Sequence, residues 1–299
     1  MSQKMLIVGG SGLVGSTLAQ YAISDYDLHI TINKNKITFT NAHVSKIDLL
    51  EDRLTIINLI KTSNPDIVIN TVGHPSIDLC ETNPELANLL HIDITRDIAI
   101  TCHDIGSKLI HFSTDAVFDG KLNRKYTEED TPNPINHYGK TRLLAESIVI
   151  NASNLNVILR TSVIYGWHER SRFTNWIIQS LRDKKMVDPF VDQYNTPTLV
   201  DDLAKSILRI IEMHVTGLYH AVGKTCLSRY EFALRIADQF GFDKNLIKPV
   251  TLYEKKQDAP RPAKSCLDAQ KLEKKIGYNF CDIDTGIGFV LNKSGFTKI

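Results

Sequence analysis

Tyr138 stands four residues before Arg142, and Ser113-Thr114-Asp115 lie upstream of both. On a helix, positions four apart share one face. A phenol and a cation held that way can deliver a proton, because a neighbouring positive charge favours the ionised form of the tyrosine. Such a pair suits reduction of a carbonyl by a nicotinamide, in which a proton must reach the carbonyl oxygen. Thr114 could hold the same oxygen through its hydroxyl. Asp115 suits either a turn cap or a contact to substrate. Arg142 has a second candidate partner in Glu146, four residues on, as a surface ion pair worth roughly a few tenths of a kcal/mol.

A second constellation opens the chain. Gly9-Gly10-Ser11-Gly12-Leu13-Val14-Gly15 follows the apolar run Met5–Val8 and precedes a helical pattern. Gly10, Gly12 and Gly15 satisfy G-x-G-x-x-G, and Gly9, Gly12 and Gly15 satisfy G-x-x-G-x-x-G. Between a strand and a helix, that spacing makes a tight turn, lets a pyrophosphate approach the backbone and offers it helix N–H groups. Gly9, Gly12, Leu13, Val14 and Gly15 are therefore the expected cofactor contacts. About 20 residues on, NAD-preferring sites carry an acid for the ribose 2′-hydroxyl. Here the segment reads Asn33-Lys34-Asn35-Lys36, which repels no 2′-phosphate and brings two lysines. The expectation is NADP(H), with NAD(H) the lesser alternative and Asn33 and Lys34 as contacts. Asp48 and Leu49 are candidates for the adenine edge, though an ordinary surface Asp fits Asp48 nearly as well.

These residues need elements to position them. Strand-like runs at Met5–Val8, Leu28–Ile32, Ile67–Asn70, Lys108–Phe112 and Val157–Arg160 alternate with helical patterns at Val14–Ile23, Leu54–Lys61, Pro84–Asp104 and His137–Asn151. That rhythm predicts βαβ units and an α/β fold: a doubly wound parallel (Rossmann) sheet, with ligands at the carboxyl ends of the strands. After Gly166 the rhythm changes. Helical patterns at Phe173–Leu181, Asp201–Met213 and Ser228–Phe240 surround a short strand at Leu218–Ala221, and Ser228 with Glu231 forms a capping-box pattern. The expected division is a nucleotide-binding domain from 1–165 with 196–222, and a smaller C-terminal substrate-binding lobe from 166–195 with 223–299.

The 299 residues suit one large α/β domain with a companion lobe, and 42% hydrophobic against 23% charged residues allows a sizeable core. A net charge of +1 argues against a dedicated nucleic-acid binder. No apolar run approaches the roughly 18 residues of a membrane span, and the first one stops too early for a signal peptide. The five cysteines are odd in number and form no C-x-x-C pair, so free thiols in a reducing cytoplasm are expected, with no disulfide framework and no zinc site. His74, His91, His103 and His111 lack metal-ligand spacing, and no metal is expected.

The block Ser113-Thr114-Asp115-Ala116-Val117-Phe118-Asp119-Gly120, then Tyr138-Gly139-Lys140-Thr141, Arg160-Thr161-Ser162, Tyr230-Glu231-Phe232-Ala233 and Arg261-Pro262-x-x-Ser265-x-Leu267 carry a resemblance. Over nearly its whole length the chain resembles the dTDP-4-dehydrorhamnose reductase family of extended short-chain dehydrogenase/reductases. The resemblance implies NADPH-dependent reduction of a nucleotide-linked 4-keto-6-deoxy sugar, as in dTDP-L-rhamnose biosynthesis. It implies Thr114, Tyr138 and Arg142 as catalytic residues, the last two also touching the cofactor. Ser113, Thr114, Asp115, Val163 and Arg261 would meet substrate, with a structural ion pair equally open to Arg261. Some members of the family dimerise, which leaves a homodimer open. The chain departs from the family at Arg142, where lysine is usual, and at Val163, where tryptophan is usual. It departs again at Asp93 and at Asn70-Thr71-Val72, near the expected nicotinamide. The same resemblance extends to the regulatory β subunit of methionine adenosyltransferase, which binds cofactor without turnover, and more distantly to sugar-nucleotide epimerases and dehydratases.

Overall fold

Met5 and Ile7 lie in one apolar core, Leu6 and Val8 in another. That alternation has the period of two of an extended strand inside a sheet covered on both faces. In the computed structural model, which describes residues 2–35, 37, 39–73 and 76–296, this run is β1 (Lys4–Val8). Lys36 and His74 lie outside the described residues. The chain continues through α1 (Leu13–Ala22), β2 (Asp27–Ile32), β3 (Ala42–Lys46), α2 (Leu54–Ser63), β4 (Ile67–Asn70), α3 (Ile77–Thr82), α4 (Pro84–Asn88), α5 (Ile94–Ile105), β5 (Lys108–Thr114), α6 (His137–Ala152) and β6 (Val157–Thr161). Then follow β7 (Ile164–Tyr165), α7 (Arg172–Arg182), β8 (Tyr194–Asn195), β9 (Thr198–Leu199), α8 (Val200–Glu212), β10 (Gly217–His220), β11 (Leu227–Ser228), α9 (Arg229–Phe240), α10 (Gln270–Ile276) and α11 (Ile283–Ser294).

Seven strands pair in the order β3-β2-β1-β4-β5-β6-β10, all parallel. The order reverses between β1 and β4, so a crevice opens there at the carboxyl ends of the strands. Leu18, Ala19 and Ala22 of α1 and Leu203, Ile207 and Ile210 of α8 cover one face. Ile56 and Ile60 of α2, Ile98 and Cys102 of α5 and Val149 of α6 cover the other. A separate core holds Ile177 and Leu181 of α7, Phe232 and Ile236 of α9, and Ile287 and Val290 of α11. Leu267, Leu272, Ile276 and Phe280 fall within 223–299, yet pack into the core of the sheet.

The doubly wound sheet is as the alternating pattern predicts, and the capping box at Ser228 and Glu231 forms in both directions. Several elements differ. β3 reads Ala-His-Val-Ser-Lys and is largely exposed, so this edge strand carries no apolar run to betray it. The expected helix Pro84–Asp104 is α4 and α5 joined by one π turn at Leu89–Asp93. β5 extends to Thr114, which makes Ser113 and Thr114 the last residues of the strand. Cys226 and Cys266 are joined by a disulfide, with Cα atoms 5.6 Å apart, which corrects the expectation of five free thiols. Forty residues separate the two, and only the tertiary fold brings them together.

Candidate active site

The glycine turn sits at the crevice. Gly12 is the N-cap of α1 and supplies no side-chain cap, so the first-turn N–H groups of Leu13, Val14 and Gly15 have no intrahelical acceptor. Gly12 donates its own N–H to the Gly9 carbonyl, and Gly9 and Gly10 hang from Thr31 at 3.1 and 2.8 Å. A Cβ on Gly15 would lie 2.7 Å from both Gly10 Cα and the Gly9 carbonyl oxygen, so the close packing of helix on turn admits only glycine there. Asn33 and Lys34 follow β2 directly. Ile47 donates to the Ile32 carbonyl at 2.8 Å, which brings Asp48 and Leu49 alongside Asn33. Asp48 Oδ1 accepts from the Leu50 N–H and so turns its own loop.

The second constellation gathers at the end of β5. Thr114 Oγ1 accepts from the Ala116 N–H and donates to Asp115 Oδ1, each at 3.2 Å. Asn136 caps α6 by accepting from Gly139 N–H, and Gly139 packs flush against the Ala116 carbonyl. Tyr138 is thereby carried against the turn that Thr114 caps. The Arg142 guanidinium lies 5.5 Å from the Tyr138 ring centroid, and His91 meets the same ring edge-on at 5.5 Å.

Arg142 is only 8% exposed. Its Nη1 reaches the carbonyls of Val72 and Phe112 at 3.4 Å each, both long contacts, while its buried Nε has no partner. A Cβ on Gly73 would fall 1.9 Å from Nη2, so the guanidinium occupies space that only a glycine leaves open. The candidate pair with Glu146 does not form. Glu146 is buried and takes a two-pronged contact from Arg160, Nε to Oε1 at 2.9 Å and Nη2 to Oε2 at 2.7 Å, together with the Ser113 hydroxyl. Arg142 is therefore a cation with no carboxylate in contact among the described residues. It reaches His111 on β5, whose pKa burial, with help from this charge, lowers to about 3.

The remaining candidates divide. Asp115 Oδ2 accepts from Ser162, Asn195 and Ser265 at 2.6–2.8 Å and so ties three segments to the strand end. Val163 adopts φ +44°, a left-handed conformation unusual for a β-branched residue, between β6 and β7. Arg261 forms an ion pair with Asp78 at 2.6 Å, the structural alternative left open for it. Asp93 pairs with Arg53 and Arg96 at 3.6 and 2.9 Å, a surface arrangement. Sequence reading missed Gly73, Asn195, Arg229 and the Glu146–Arg160 pair. Only the last left a sequence signal, a charged residue inside an apolar strand pattern, which burial obliges to find a partner.

An all-parallel sheet with its glycine turn at the switch point, and a tyrosine and cation at the neighbouring strand end, defines a Rossmann-type short-chain dehydrogenase/reductase. Within that class the chain belongs to the RmlD substrate binding domain family, whose model matches residues 3–295. It is 27% identical over 285 residues to dTDP-4-dehydrorhamnose reductase of Aggregatibacter actinomycetemcomitans, covering 92% of this chain and 93% of that one. It is 32% identical over 235 residues to methionine adenosyltransferase 2 subunit beta of Xenopus tropicalis, covering 75% and 69%. The crystal structure of dTDP-4-dehydrorhamnose reductase from Bacillus anthracis in complex with NADP shares the fold, with a TM-score of 0.86 at 24% identity over 98% of this chain and 100% of that one. No helix among the described residues is long and apolar enough to cross a membrane.

Proposed function

We propose that the protein is an NADPH-dependent reductase of a nucleotide-linked 4-keto-6-deoxy sugar. One observation carries the reading: a tyrosine and a cation with no carboxylate partner face each other 5.5 Å apart against the end of β5. The uncapped start of α1 fits a pyrophosphate, and the unpartnered Nε of Arg142 fits a ribose hydroxyl. Gly9, Gly12, Leu13, Val14 and Gly15 hold the dinucleotide, with Asn33, Lys34, Asp48 and Leu49 at its adenosine end. Bound NADPH supplies the hydride. Tyr138 gives its proton to the substrate's carbonyl oxygen, and Arg142 stabilises the phenolate left behind. Thr114 orients the same oxygen. Ser113 and Asp115 shape the pocket floor through their contacts to Glu146 and to the lobe, and Val163 stands at its wall. We place the reaction in the cytoplasm, where reduced nicotinamide is replenished.

The test is oxidation of NADPH by the purified protein over a panel of dTDP-4-keto-6-deoxy sugars, with Tyr138→Phe as control. Turnover at least about 100-fold above the control is expected. NADPH binding with no sugar oxidised above the control refutes it. A second reading draws on the Arg142 guanidinium, which leans on two backbone carbonyls where the family has lysine: a cofactor-binding regulatory subunit. It predicts NADPH binding without turnover and co-purification with a partner enzyme.

A further inference from the structure

The resemblance leaves Arg261 two roles, contact with the substrate or a structural ion pair, and Arg261 is committed to the second. Its Nη2 lies 2.6 Å from Asp78 Oδ2, its Nη1 contacts the Ala259 carbonyl, and Asp78 Oδ1 accepts from the Ala259 N–H. This closed set of contacts pins the 259–262 segment to α3, and the residue is only 9% exposed at its side chain. A different arginine stands nearby. Arg229 opens α9, immediately after the ladder in which Leu227 and Ser228 of β11 pair with Asn195 and Tyr194 of β8. Its main-chain N–H donates to the Gln193 carbonyl, and Asn195 on the paired strand reaches Asp115 at the end of β5. The backbone is thus fixed beside the strand end where Tyr138 and Thr114 gather.

We propose that Arg229 is the residue that receives the diphosphate of a nucleotide-linked substrate. Its guanidinium lies over the Phe173 ring at 5.1 Å, and that ring is stacked in turn on Phe232 of the lobe core, 5.1 Å away at 21°. A planar donor is so held in a fixed orientation, the arrangement in which arginine grips phosphate through two parallel hydrogen bonds. Among the described residues the guanidinium has no ion pair or hydrogen bond. The charges that act on it are Asp115 and Arg261. Asp115 already accepts from four uncharged donors, and Arg261 is a like charge. Burial lowers the pKa of Arg229 to about 10, Arg261 adding to the effect and Asp115 opposing it, so an arriving anion relieves a confined positive charge.

This assignment rests on the substrate class proposed above, and binding separates it from the reductase chemistry. Calorimetric titration of the full chain with dTDP and with inorganic diphosphate is compared for the unmodified protein, Arg229→Lys and Arg229→Gln. Arg229→Gln should weaken dTDP binding about 10- to 100-fold, with Arg229→Lys between, while NADPH affinity and Tm stay unchanged. The salt dependence of dTDP binding should also flatten in Arg229→Gln. A loss in dTDP affinity under twofold, an equal loss of NADPH affinity, or an unmodified protein that binds neither dTDP nor diphosphate overturns the proposal. If Arg229→Gln does not fold, unchanged dTDP affinity in Arg229→Lys overturns it as well. Arg229-dependent dTDP binding without sugar reduction upholds it and removes the reductase reading. Reduction of a sugar whose KM is untouched in Arg229→Gln does the reverse.

Discussion

Gly73→Ala tests how Arg142 is placed. Gly73 is not among the glycines with positive φ, so its backbone accepts alanine, and the atoms nearest the new methyl belong to the guanidinium. That methyl would lie 1.9 Å from Nη2, 2.7 Å from Cζ and 3.0 Å from Nη1. Relief to an ordinary contact moves the guanidinium by roughly 1.5 Å, and misplacement on this scale at a reacting centre costs about 100-fold in rate. The 3.4 Å contacts to Val72 and Phe112 are already at the limit of hydrogen bonding and break first. Stability should fall by about 1–3 kcal/mol, as for one overpacked methyl. Steady-state kinetics should show kcat down about 10- to 100-fold. In the Arg142→Lys background the same alanine should cost less than about threefold, because the ammonium is narrower than the guanidinium. The coupling from this cycle should be about 1–2 kcal/mol. Strict additivity, or a full-length loss in both backgrounds, would refute the idea that Gly73 exists to seat this arginine.

Three further outcomes follow from buried groups. Glu146→Gln should lower the urea unfolding free energy by about 3–5 kcal/mol, because it leaves Arg160 buried and unpaired; a loss under 1 kcal/mol, on the order of an exposed pair, contradicts the geometry. His111 and His220 are both held neutral by burial, with pKa values of about 3 against 6.5. The unfolded chain therefore takes up protons that the folded chain refuses, so stability falls as pH drops from 6.5 toward 3, by up to about 1.4 kcal/mol per pH unit per histidine. Urea midpoints between pH 7 and 5 should decline, and less steeply in His220→Asn. Reducing Cys226–Cys266, which closes 40 residues, should cost about 2–4 kcal/mol, read as a lower Tm in dithiothreitol that Cys266→Ser reproduces without reductant.

The sheet was legible because its central strands are buried on both faces and appear as bare apolar runs between helical patterns. β3 was not, because an edge strand needs only one partner and this one spends its residues on solvent. The glycine turn could be read to the residue, since the steric demand at Gly15 is local. The Tyr138–Arg142 face could be read from helical spacing alone. What that spacing could not decide was the partner of Glu146. Residues four apart are geometrically equivalent competitors with any residue that tertiary packing delivers, and Arg160 from β6 arrives with two aligned donors in a site closed to water. Arg229 was passed over for a related reason. Its role depends on which arginine is left unpaired, and Asp78, far away in sequence, settles that for Arg261.

The same competition bears on the departure from lysine. Had Glu146 taken Arg142, the phenol would have lost its cation and the regulatory reading would have gained. Because Arg160 takes Glu146, the charge beside Tyr138 survives the exchange of lysine for arginine. What changes is direction: a lysine ammonium presents three donors at a point, whereas the guanidinium is planar and is steered by the Val72 and Phe112 carbonyls under Gly73. Electrostatic stabilisation of a phenolate depends chiefly on distance, while contacts to ribose hydroxyls depend on donor direction, in which the two side chains differ. Under the reading proposed above, the substitution should therefore weigh more on how the dinucleotide is gripped than on the proton transfer.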